Sequence, residues 1–270
     1  MAGQILGDRY QIEKQLGNKA GRWTLLATDL AANQPVILKL ISIDEELHPD
    51  ALRLFQREIQ TLQRLSHPAI PQYLSCFDVD LARNRKALVL IESYIGGTSA
   101  DRYLKQGRTF SEKEAKQIGA GILEILVYLH NQSPPILHRD IKPSNIVLST
   151  PPGQRTRIYL IDFGSVKPGV PGQGYSTALT LLGTHQYTAP EQLGGRVLKT
   201  SDLYSLGLTL MTLITGQSVK QSALIPRQND IKCLTLSPRF TAWLQRMSDR
   251  DPKGRPASAQ LALDELHQMV

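Results

Sequence analysis

The stretch that decides the fold of this chain is His-Arg-Asp-Ile-Lys-Pro-Ser-Asn, at residues 138–145. An apolar helical pattern precedes it and a short apolar run follows it, so we expect a loop between a helix and a strand. Asp140 and Asn145 lie five positions apart within it. That spacing allows the carboxylate to orient a nucleophile while the amide oxygen reaches a metal ion. The stretch is therefore a candidate catalytic loop.

A second motif, Asp162-Phe163-Gly164, lies a short distance downstream. It directly follows the strand-like run at residues 158–161, so we expect Asp162 to emerge at the end of a strand. Gly164 allows the backbone to turn sharply at this point. A carboxylate in such a position suits a hard cation such as Mg²⁺.

The order of these two motifs resembles that of the eukaryotic-type protein kinase family. Upstream, Lys39 ends the run Val-Ile-Leu-Lys and resembles the family's phosphate-binding lysine. Glu58 lies on the next helical pattern and resembles the carboxylate partner of that lysine. Downstream, Ala-Pro-Glu at residues 189–191 closes a segment in the place of an activation loop. The resemblance covers nearly the whole chain. In its compactness the chain resembles bacterial members of the family.

The resemblance implies an α+β, two-lobed protein kinase-like fold in a single kinase domain over residues 1–270. Residues 1–95 would form a small β-rich N-lobe with one main helix. Residues 96–270 would form a larger α-helical C-lobe. The cleft between two such lobes is the expected ligand site.

The periodicity of the apolar residues predicts the individual elements. Alternation predicts strands at residues 10–16, 23–28, 35–43, 73–78 and 86–94, with shorter strands at 146–148 and 158–161. Helical spacing predicts helices at residues 50–65, 111–131, 201–215, 237–247 and 257–269. Ser111, with Glu114 three residues later, is a capping-box signature that predicts where the second of these helices begins.

The resemblance also implies catalytic roles. The predicted catalytic residues are Asp140, Lys142, Lys39 and Glu58, and the predicted metal ligands are Asn145 and Asp162. Asp140 would accept the proton of the substrate hydroxyl, and Lys142 would steady the transferring phosphate. A lysine at position 142 resembles the serine/threonine branch of the family. The implied activity is transfer of the γ-phosphoryl group of ATP, with Mg²⁺, to a serine or threonine of a protein substrate.

A set of ATP-binding residues follows from the same resemblance. Its members are Leu16, Gly17, Thr24, Ile37, Lys39, Ser93, Ile95 and Val147. Adenine is expected against residues 92–95, where the backbone of Ser93 and Ile95 would match its donor and acceptor edge. Glu92 stands where the family places the residue that controls the back pocket. That residue is often apolar, so the carboxylate is a departure.

The phosphate-covering loop also departs from the family's GxGxxG pattern. Gly17 matches the first glycine, whereas Lys19 and Arg22 fall at the second and third glycine positions. Ile37 replaces the small alanine that normally faces adenine. Two interpretations stay open: a degenerate loop in which Lys19 or Arg22 supplies charge, or a pseudokinase that serves as a binding or scaffolding module. The sequence favours an active enzyme because the predicted catalytic and metal-binding residues are all present.

Several other residues resemble structural parts of the family fold. His138 is expected to pack against Phe163. Asp202 resembles a buried aspartate that supports the catalytic loop. Arg255 resembles the partner of Glu191.

Arg139, next to Asp140, indicates one form of regulation. In kinases with this Arg-Asp pair the guanidinium often receives a phosphorylated residue of the activation loop. Ser176, Thr177 and Thr180 are the predicted autophosphorylation sites, and an ordinary unphosphorylated loop remains the alternative. Thr184 resembles the residue that touches the catalytic aspartate and lysine.

Composition restricts the classes of partner and compartment. The two cysteines, Cys76 and Cys233, are far apart, which disfavours a zinc site or a disulfide framework and indicates a reducing, cytoplasmic setting. The net charge is +7, but the basic residues are dispersed as on a solvated surface, so no nucleic-acid partner is expected. No apolar run reaches the ~18 residues of a membrane helix.

Overall fold

A computed structural model describes residues 2–19, 21–43, 47, 49–81, 85–168, 185–217 and 236–269. The chain divides into two compact units, Met1–Gly96 and Gly97–Val270. The first unit is mostly β-sheet with one long helix, and the second is mostly helical. The predicted fold class is therefore confirmed.

Antiparallel strands and one helix form the N-terminal unit. The strands are β1 (Ile5–Leu6), β2 (Tyr10–Lys19), β3 (Arg22–Asp29), β4 (Gln34–Ile43), β5 (Tyr73–Leu81) and β6 (Arg85–Ser93), and the helix is α1 (Pro49–Arg64). The sheet order is β1-β2-β3-β4-β6-β5, and every neighbouring pair is antiparallel. The five predicted strands are all present, with ends that differ from the prediction by a few residues.

The two faces of strand β4 have different surroundings because successive side chains of a strand point in opposite directions. Val36, Leu38 and Leu40 belong to the apolar core of the sheet. Lys39 lies on the opposite face, between Ile37 and Ile41. The alternation thus places the predicted phosphate-binding lysine away from the main core of this unit.

Helix α1 buries one stripe of side chains that contains a charge. Phe55, Glu58, Ile59 and Leu62 recur at helical spacing and are all buried. Glu58 is 1% exposed. A carboxylate at that depth is costly without partners, so its environment must supply cations or hydrogen-bond donors.

The described helices of the C-terminal unit are α2 (Ala100–Lys105), α3 (Glu112–His130), α4 (Pro190–Leu193), α5 (Lys199–Thr215), α6 (Pro238–Met247) and α7 (Ala259–His267). Helix α3 begins at the predicted capping box: Glu114 N–H donates to Ser111 Oγ at 3.3 Å, and Ser111 N–H donates to Glu114 Oε2 at 2.9 Å. Short helices α2 and α4 were absent from the prediction.

Helix α5 is buried along almost its whole length. Some of its polar side chains are satisfied within the helix: the hydroxyls of Thr209 and Thr212 donate to the carbonyls of Ser205 and Leu208 at 2.7 and 2.9 Å. At Gly207 an added Cβ would lie 2.9 Å from Cβ of Met247, so the glycine permits close packing of α6. Within the described residues, no helix combines the length and apolar character needed to cross a membrane.

Short strands hold the stretch at residues 138–145. They are β7 (Thr98–Ser99), β8 (Ile136–Leu137), β9 (Ile146–Ser149), β10 (Arg157–Leu160) and β11 (Lys167–Pro168). Strand β9 pairs with β7 and β10, and β8 pairs with β11. The stretch therefore leaves β8, passes through a 3₁₀ turn at Pro143–Asn145 and enters β9. Ile161 alone separates the end of β10 from the motif at residues 162–164.

Candidate functional site

The predicted site residues occur in both units. The N-terminal unit contains Leu16, Gly17, Thr24, Ile37, Lys39, Glu58, Ser93 and Ile95, and the C-terminal unit contains Asp140, Lys142, Asn145, Val147 and Asp162. Ser176, Thr177, Thr180, Thr184 and Cys233 lie outside the described residues, as does the side chain of Lys19.

Lys39 and Glu58 form a buried ion pair in the N-terminal unit. Lys39 Nζ lies 2.6 Å from Glu58 Oε1, and the two residues are 9% and 1% exposed. A charge-assisted hydrogen bond of this length fixes the ammonium against helix α1. The contact expected between these two residues is present.

Two further charged side chains join this ion pair. Arg22 Nη2 lies 2.9 Å from Glu58 Oε2, and Glu92 Oε1 lies 3.3 Å from Lys39 Nζ. The Arg22 guanidinium also lies 5.3 Å from the ring centroid of Phe55 on α1. Arg22 is thus directed to helix α1, which differs from the interpretation in which it supplies a phosphate contact.

The register of the sheet explains where the predicted ATP-binding residues of this unit lie. Thr24 of β3 pairs with Gly17 of β2 on one side and with Lys39 of β4 on the other. Ile37 pairs with Glu92. Gly17, Thr24 and Lys39 therefore form one row across three strands.

The remaining predicted contacts of this unit lie at its margins. Leu16 is 49% exposed, an unusual state for a large apolar side chain. Ser93 ends β6, where its backbone N–H donates to the Gln72 carbonyl at 2.9 Å and its Oγ accepts from the Gln72 N–H at 2.9 Å. Ile95, just beyond the strand, is half-buried.

Three polar side chains of the catalytic-loop stretch contact one another in the C-terminal unit. Lys142 Nζ lies 2.6 Å from Asp140 Oδ2. Asn145 Nδ2 donates to the backbone carbonyl of Asp140 at 2.8 Å and to its Oδ2 at 3.1 Å. Because the amide nitrogen of Asn145 faces Asp140, its Oδ1 is the atom that can face a cation.

Two residues of this site have left-handed backbone conformations. Arg139 and Asp162 both have φ of +68°, which is unfavourable for side chains with a Cβ. Such strain persists only where the surrounding structure holds it. Asp202 does so for Arg139: its Oδ1 accepts the Arg139 backbone N–H at 2.8 Å, and its Oδ2 accepts the His138 backbone N–H at 3.0 Å. The predicted support of the loop by Asp202 is confirmed.

His138 and Phe163 connect the two motifs of the C-terminal unit. Their rings meet edge-to-face, with centroids 5.0 Å apart and planes at 78°. The predicted packing is confirmed. Asp162 Oδ1 accepts the backbone N–H of Gly164 at 3.3 Å, which orients the carboxylate at the sharp turn.

The electrostatic environment shifts the pKa values of Asp140 and Asp202 in opposite directions. Burial raises the pKa of Asp140, and the Lys142 ammonium opposes this only in part. Burial also acts to raise the pKa of Asp202, but the hydrogen bond from His130 at 3.0 Å and the Arg139 N–H outweigh it, so the pKa is lowered. Burial lowers the pKa of His138 and favours its neutral form.

The chemistry of Asn145 and Asp162 fits a Mg²⁺ site that is completed by substrate. One carboxylate and one amide oxygen are hard donors, as Mg²⁺ requires. Among the described residues, no group of three or more His, Cys, Asp and Glu side chains could hold a metal ion alone. Mg²⁺ in phosphate-transferring sites typically uses one or two carboxylates together with substrate phosphates, so two protein donors suffice.

Glu191 and Arg255 form the pair that the resemblance implied, and their contact is bidentate. Arg255 Nη1 and Nη2 lie 2.6 and 2.9 Å from Glu191 Oε1 and Oε2. Ser201 of α5 also donates to Glu191 Oε1 at 2.7 Å. The pair thereby ties the segment after residue 185 to α5. Val147, the predicted ATP-binding residue of this unit, is buried on β9 opposite Ser99.

The sequence pattern of the protein kinase domain matches residues 10–266 of the chain. The chain belongs to the protein kinase family. This kinase domain is 32% identical, over 97% of its length, to serine/threonine-protein kinase B of Synechocystis sp., of which it covers 46%. It is 31% identical over 97% of its length to serine/threonine-protein kinase PknA of Nostoc sp., of which it covers 48%. It is 29% identical over 80% of its length to PrkC of Bacillus subtilis, of which it covers 32%.

These similarities confirm the resemblance to bacterial members of the family. The chain spans about half the length, or less, of these three curated relatives. The kinase domain has two departures whose contacts the sequence did not reveal, Arg22 and Glu92. The register of β3, β4 and β6 was the missing information, because it alone brings both side chains to the Lys39–Glu58 pair.

Proposed function

We propose that this kinase domain is an ATP-dependent protein serine/threonine kinase. The observation that carries the proposal is the contact between Asp140, Lys142 and Asn145, whose side chains meet within 3.1 Å. A buried Lys39–Glu58 pair in the other unit adds the phosphate-binding half of the set. The names of the curated relatives, all serine/threonine-protein kinases, agree with this activity.

Asp140 is proposed to orient the serine or threonine hydroxyl and to accept its proton as the phosphoryl group transfers. A base works best when its pKa approaches the working pH, and burial moves Asp140 in that direction. Its two contacts, to Lys142 and Asn145, fix the carboxylate before substrate arrives. This preorganisation removes part of the cost of aligning the reacting groups.

Lys142 is proposed to act on the transferring phosphate while it holds Asp140. An ammonium has three donors, and the contact with Asp140 Oδ2 uses one of them. An ammonium suits phosphate oxygens, where negative charge is spread during transfer. A lysine at this place therefore serves both the base and the phosphoryl group.

Lys39 is proposed to bind the α- and β-phosphates of ATP, with Glu58 holding its ammonium in place. Leu16, Gly17, Thr24, Ile37, Ser93, Ile95 and Val147 are proposed to contact the rest of the nucleotide. Asn145 and Asp162 would hold Mg²⁺, which, when bound, neutralises charge on the phosphates. No predicted catalytic or metal-binding residue is missing, and none of their contacts favours the pseudokinase alternative.

The substrates, partners and compartment are proposed at a coarser level. The substrate class is a protein with a serine or threonine acceptor, and Ser176, Thr177 and Thr180 are proposed sites of autophosphorylation. A cytoplasmic setting is proposed from cysteine usage, and Cys76 has a free thiol.

One experiment tests the proposed activity. The purified chain is incubated with Mg²⁺ and γ-labelled ATP, alone and with a generic protein substrate, and the labelled amino acids are identified. Label on serine or threonine is expected, and Asp140→Asn is the matched inactive control. A chain that ATP and Mg²⁺ stabilise against heat but that transfers no label would establish the pseudokinase alternative.

A further inference from the structure

Both departures from the family pattern in the N-terminal unit meet in one charge cluster. Arg22 stands at the third glycine position and Glu92 at the back-pocket position. Arg22 contacts Glu58 at 2.9 Å, Glu58 contacts Lys39 at 2.6 Å, and Lys39 contacts Glu92 at 3.3 Å. Cations and anions thus alternate along the four side chains.

The sheet register creates this arrangement. Lys39 pairs with Thr24 on β3 and with Leu90 on β6. Arg22 lies two residues before Thr24 and Glu92 lies two residues after Leu90, so both are diagonal neighbours of Lys39 on the same face of the sheet. Diagonal neighbours are ~7–8 Å apart at the backbone, a distance that long side chains span. Glu58 reaches the same face from helix α1.

The charges of the four side chains sum to zero. Glu58 is shared by two cations, and Lys39 lies between two carboxylates. The side chains of Glu58 and Glu92 are 0% and 6% exposed, so water screens them poorly. An uncompensated charge in such a place is costly. The carboxylate that Glu92 adds beside Lys39 is therefore balanced within the cluster by Arg22.

We propose that Arg22 and Glu92 compensate each other electrostatically, and that Arg22 is a positioning residue that keeps Lys39 available to the phosphates of ATP. Without Arg22, the Glu58 carboxylate would lose one of its two cations, and the negative charge left uncovered would repel a polyphosphate. Without Glu92, Lys39 would lose one of its two carboxylate neighbours, and the more positive potential would attract a polyphosphate. The effect on ATP rests on the proposed function, whereas the compensation itself does not.

The test is a double-mutant cycle of Arg22→Gln, Glu92→Gln and the combined variant. KM for ATP, kcat and the nucleotide-free Tm are measured for each. Arg22→Gln is expected to raise KM for ATP about tenfold, equivalent to about 1.4 kcal/mol. Glu92→Gln is expected to lower KM, and the combined variant to return it close to the wild-type value. Arg22→Lys, which keeps the charge, is expected to recover most of the affinity.

Arg9→Gln is the matched control. Arg9 makes a comparable pair with Asp29 in the same unit, with Nε 2.7 Å from Oδ1, but it does not belong to the cluster. Its loss is expected to lower Tm and to leave KM for ATP unchanged. A purely structural role of Arg22 would give the same pattern as Arg9→Gln.

The outcomes separate this inference from the proposed function. A wild-type chain that transfers no phosphate would overturn the proposed function and the expected effect of Arg22 on ATP binding. The Tm values would still show whether Arg22 and Glu92 compensate each other. The combined variant is expected to be more stable than Arg22→Gln alone. If the wild type is active, additive changes in KM, or a combined variant with a Tm no higher than that of Arg22→Gln, would overturn the inference alone.

Discussion

The Asp202 carboxylate on α5 accepts the backbone N–H of Arg139 at 2.8 Å and thereby holds a residue with φ of +68° immediately before Asp140. Asp202 is fully buried, and it also accepts the backbone N–H of His138 at 3.0 Å. One buried anion thus stabilises a turn that the chain would otherwise avoid. The position of Asp140 depends on this contact although Asp202 belongs to another element.

Asp202→Asn tests this dependence. An amide nitrogen cannot accept a hydrogen bond, so one of the two backbone N–H groups loses its acceptor. We expect the free energy of unfolding to fall by about 3 kcal/mol and kcat to fall with it, as measured by denaturant unfolding and steady-state kinetics. Asp264→Asn, at an exposed position of α7, is the control and should change stability little. An unchanged kcat in a destabilised Asp202→Asn chain would show that the turn does not position Asp140.

Lys39→Met tests the phosphate-binding role. The substitution keeps an unbranched side chain and removes the ammonium, so phosphoryl transfer should become undetectable. We expect the fold to persist at reduced stability, because Arg22 still pairs with Glu58 at 2.9 Å whereas Glu92 loses the ammonium beside it. Transfer of labelled phosphate and circular dichroism are the measurements. Near-normal turnover with an unchanged spectrum would contradict the role of Lys39.

The sequence predicts local motifs better than it predicts the register of paired strands. Asp140 and Asn145 share one short stretch, so the sequence alone predicts that both belong to one loop. The contact of Lys39 with Glu58 was predicted by resemblance. The contacts of Arg22 and Glu92 depend on the exact pairing of β3, β4 and β6, which alternation of apolar residues does not determine to one residue.

The sequence also predicts the lengths and ends of helices and strands only in part. Ser111 carries its capping signal in the sequence, and α3 begins where that signal predicts. Helix α2 has only six residues, too few for apolar periodicity to reveal it. Strands β2 and β3 extend beyond their predicted ends because their pairing continues to Lys19 and Arg22, past the last apolar residues.

Asp140→Asn and Asp162→Asn separate the proposed base from the proposed metal ligand. Asp140→Asn should lower kcat by roughly 10²–10⁴, with ATP affinity little changed, because a base acts only in the reaction step. Asp162→Asn should instead weaken ATP binding in the presence of Mg²⁺. Nucleotide titrations with and without Mg²⁺ provide the comparison. Equal losses of Mg²⁺-dependent affinity in both variants would contradict this division of roles.

The raised pKa of Asp140 predicts a particular dependence on pH. The base must be ionised to act, so the acidic limb of the kcat/KM profile should lie above the usual aspartate range. Lys142 lowers the pKa of Asp140, and therefore Lys142→Met should move that limb to still higher pH. Asp101→Asn removes a half-buried carboxylate paired with Lys105 at 2.7 Å, and it should leave the profile unchanged.

The ionisation of Asp140 should also make the stability of the folded chain depend on pH. Low pH should favour the folded chain, whereas activity requires the ionised carboxylate. Because the pKa of Asp140 is higher in the folded chain than in the unfolded chain, its contribution to stability is greatest at low pH and is lost as pH rises through the folded value. Asp140→Asn cannot ionise, so at neutral pH it should unfold at a higher temperature than the wild type, and this advantage should vanish in acid. Melting curves across pH measure the difference. An Asn variant that is less stable at neutral pH would show that the contacts of the ionised carboxylate with Lys142 and Asn145 outweigh its burial.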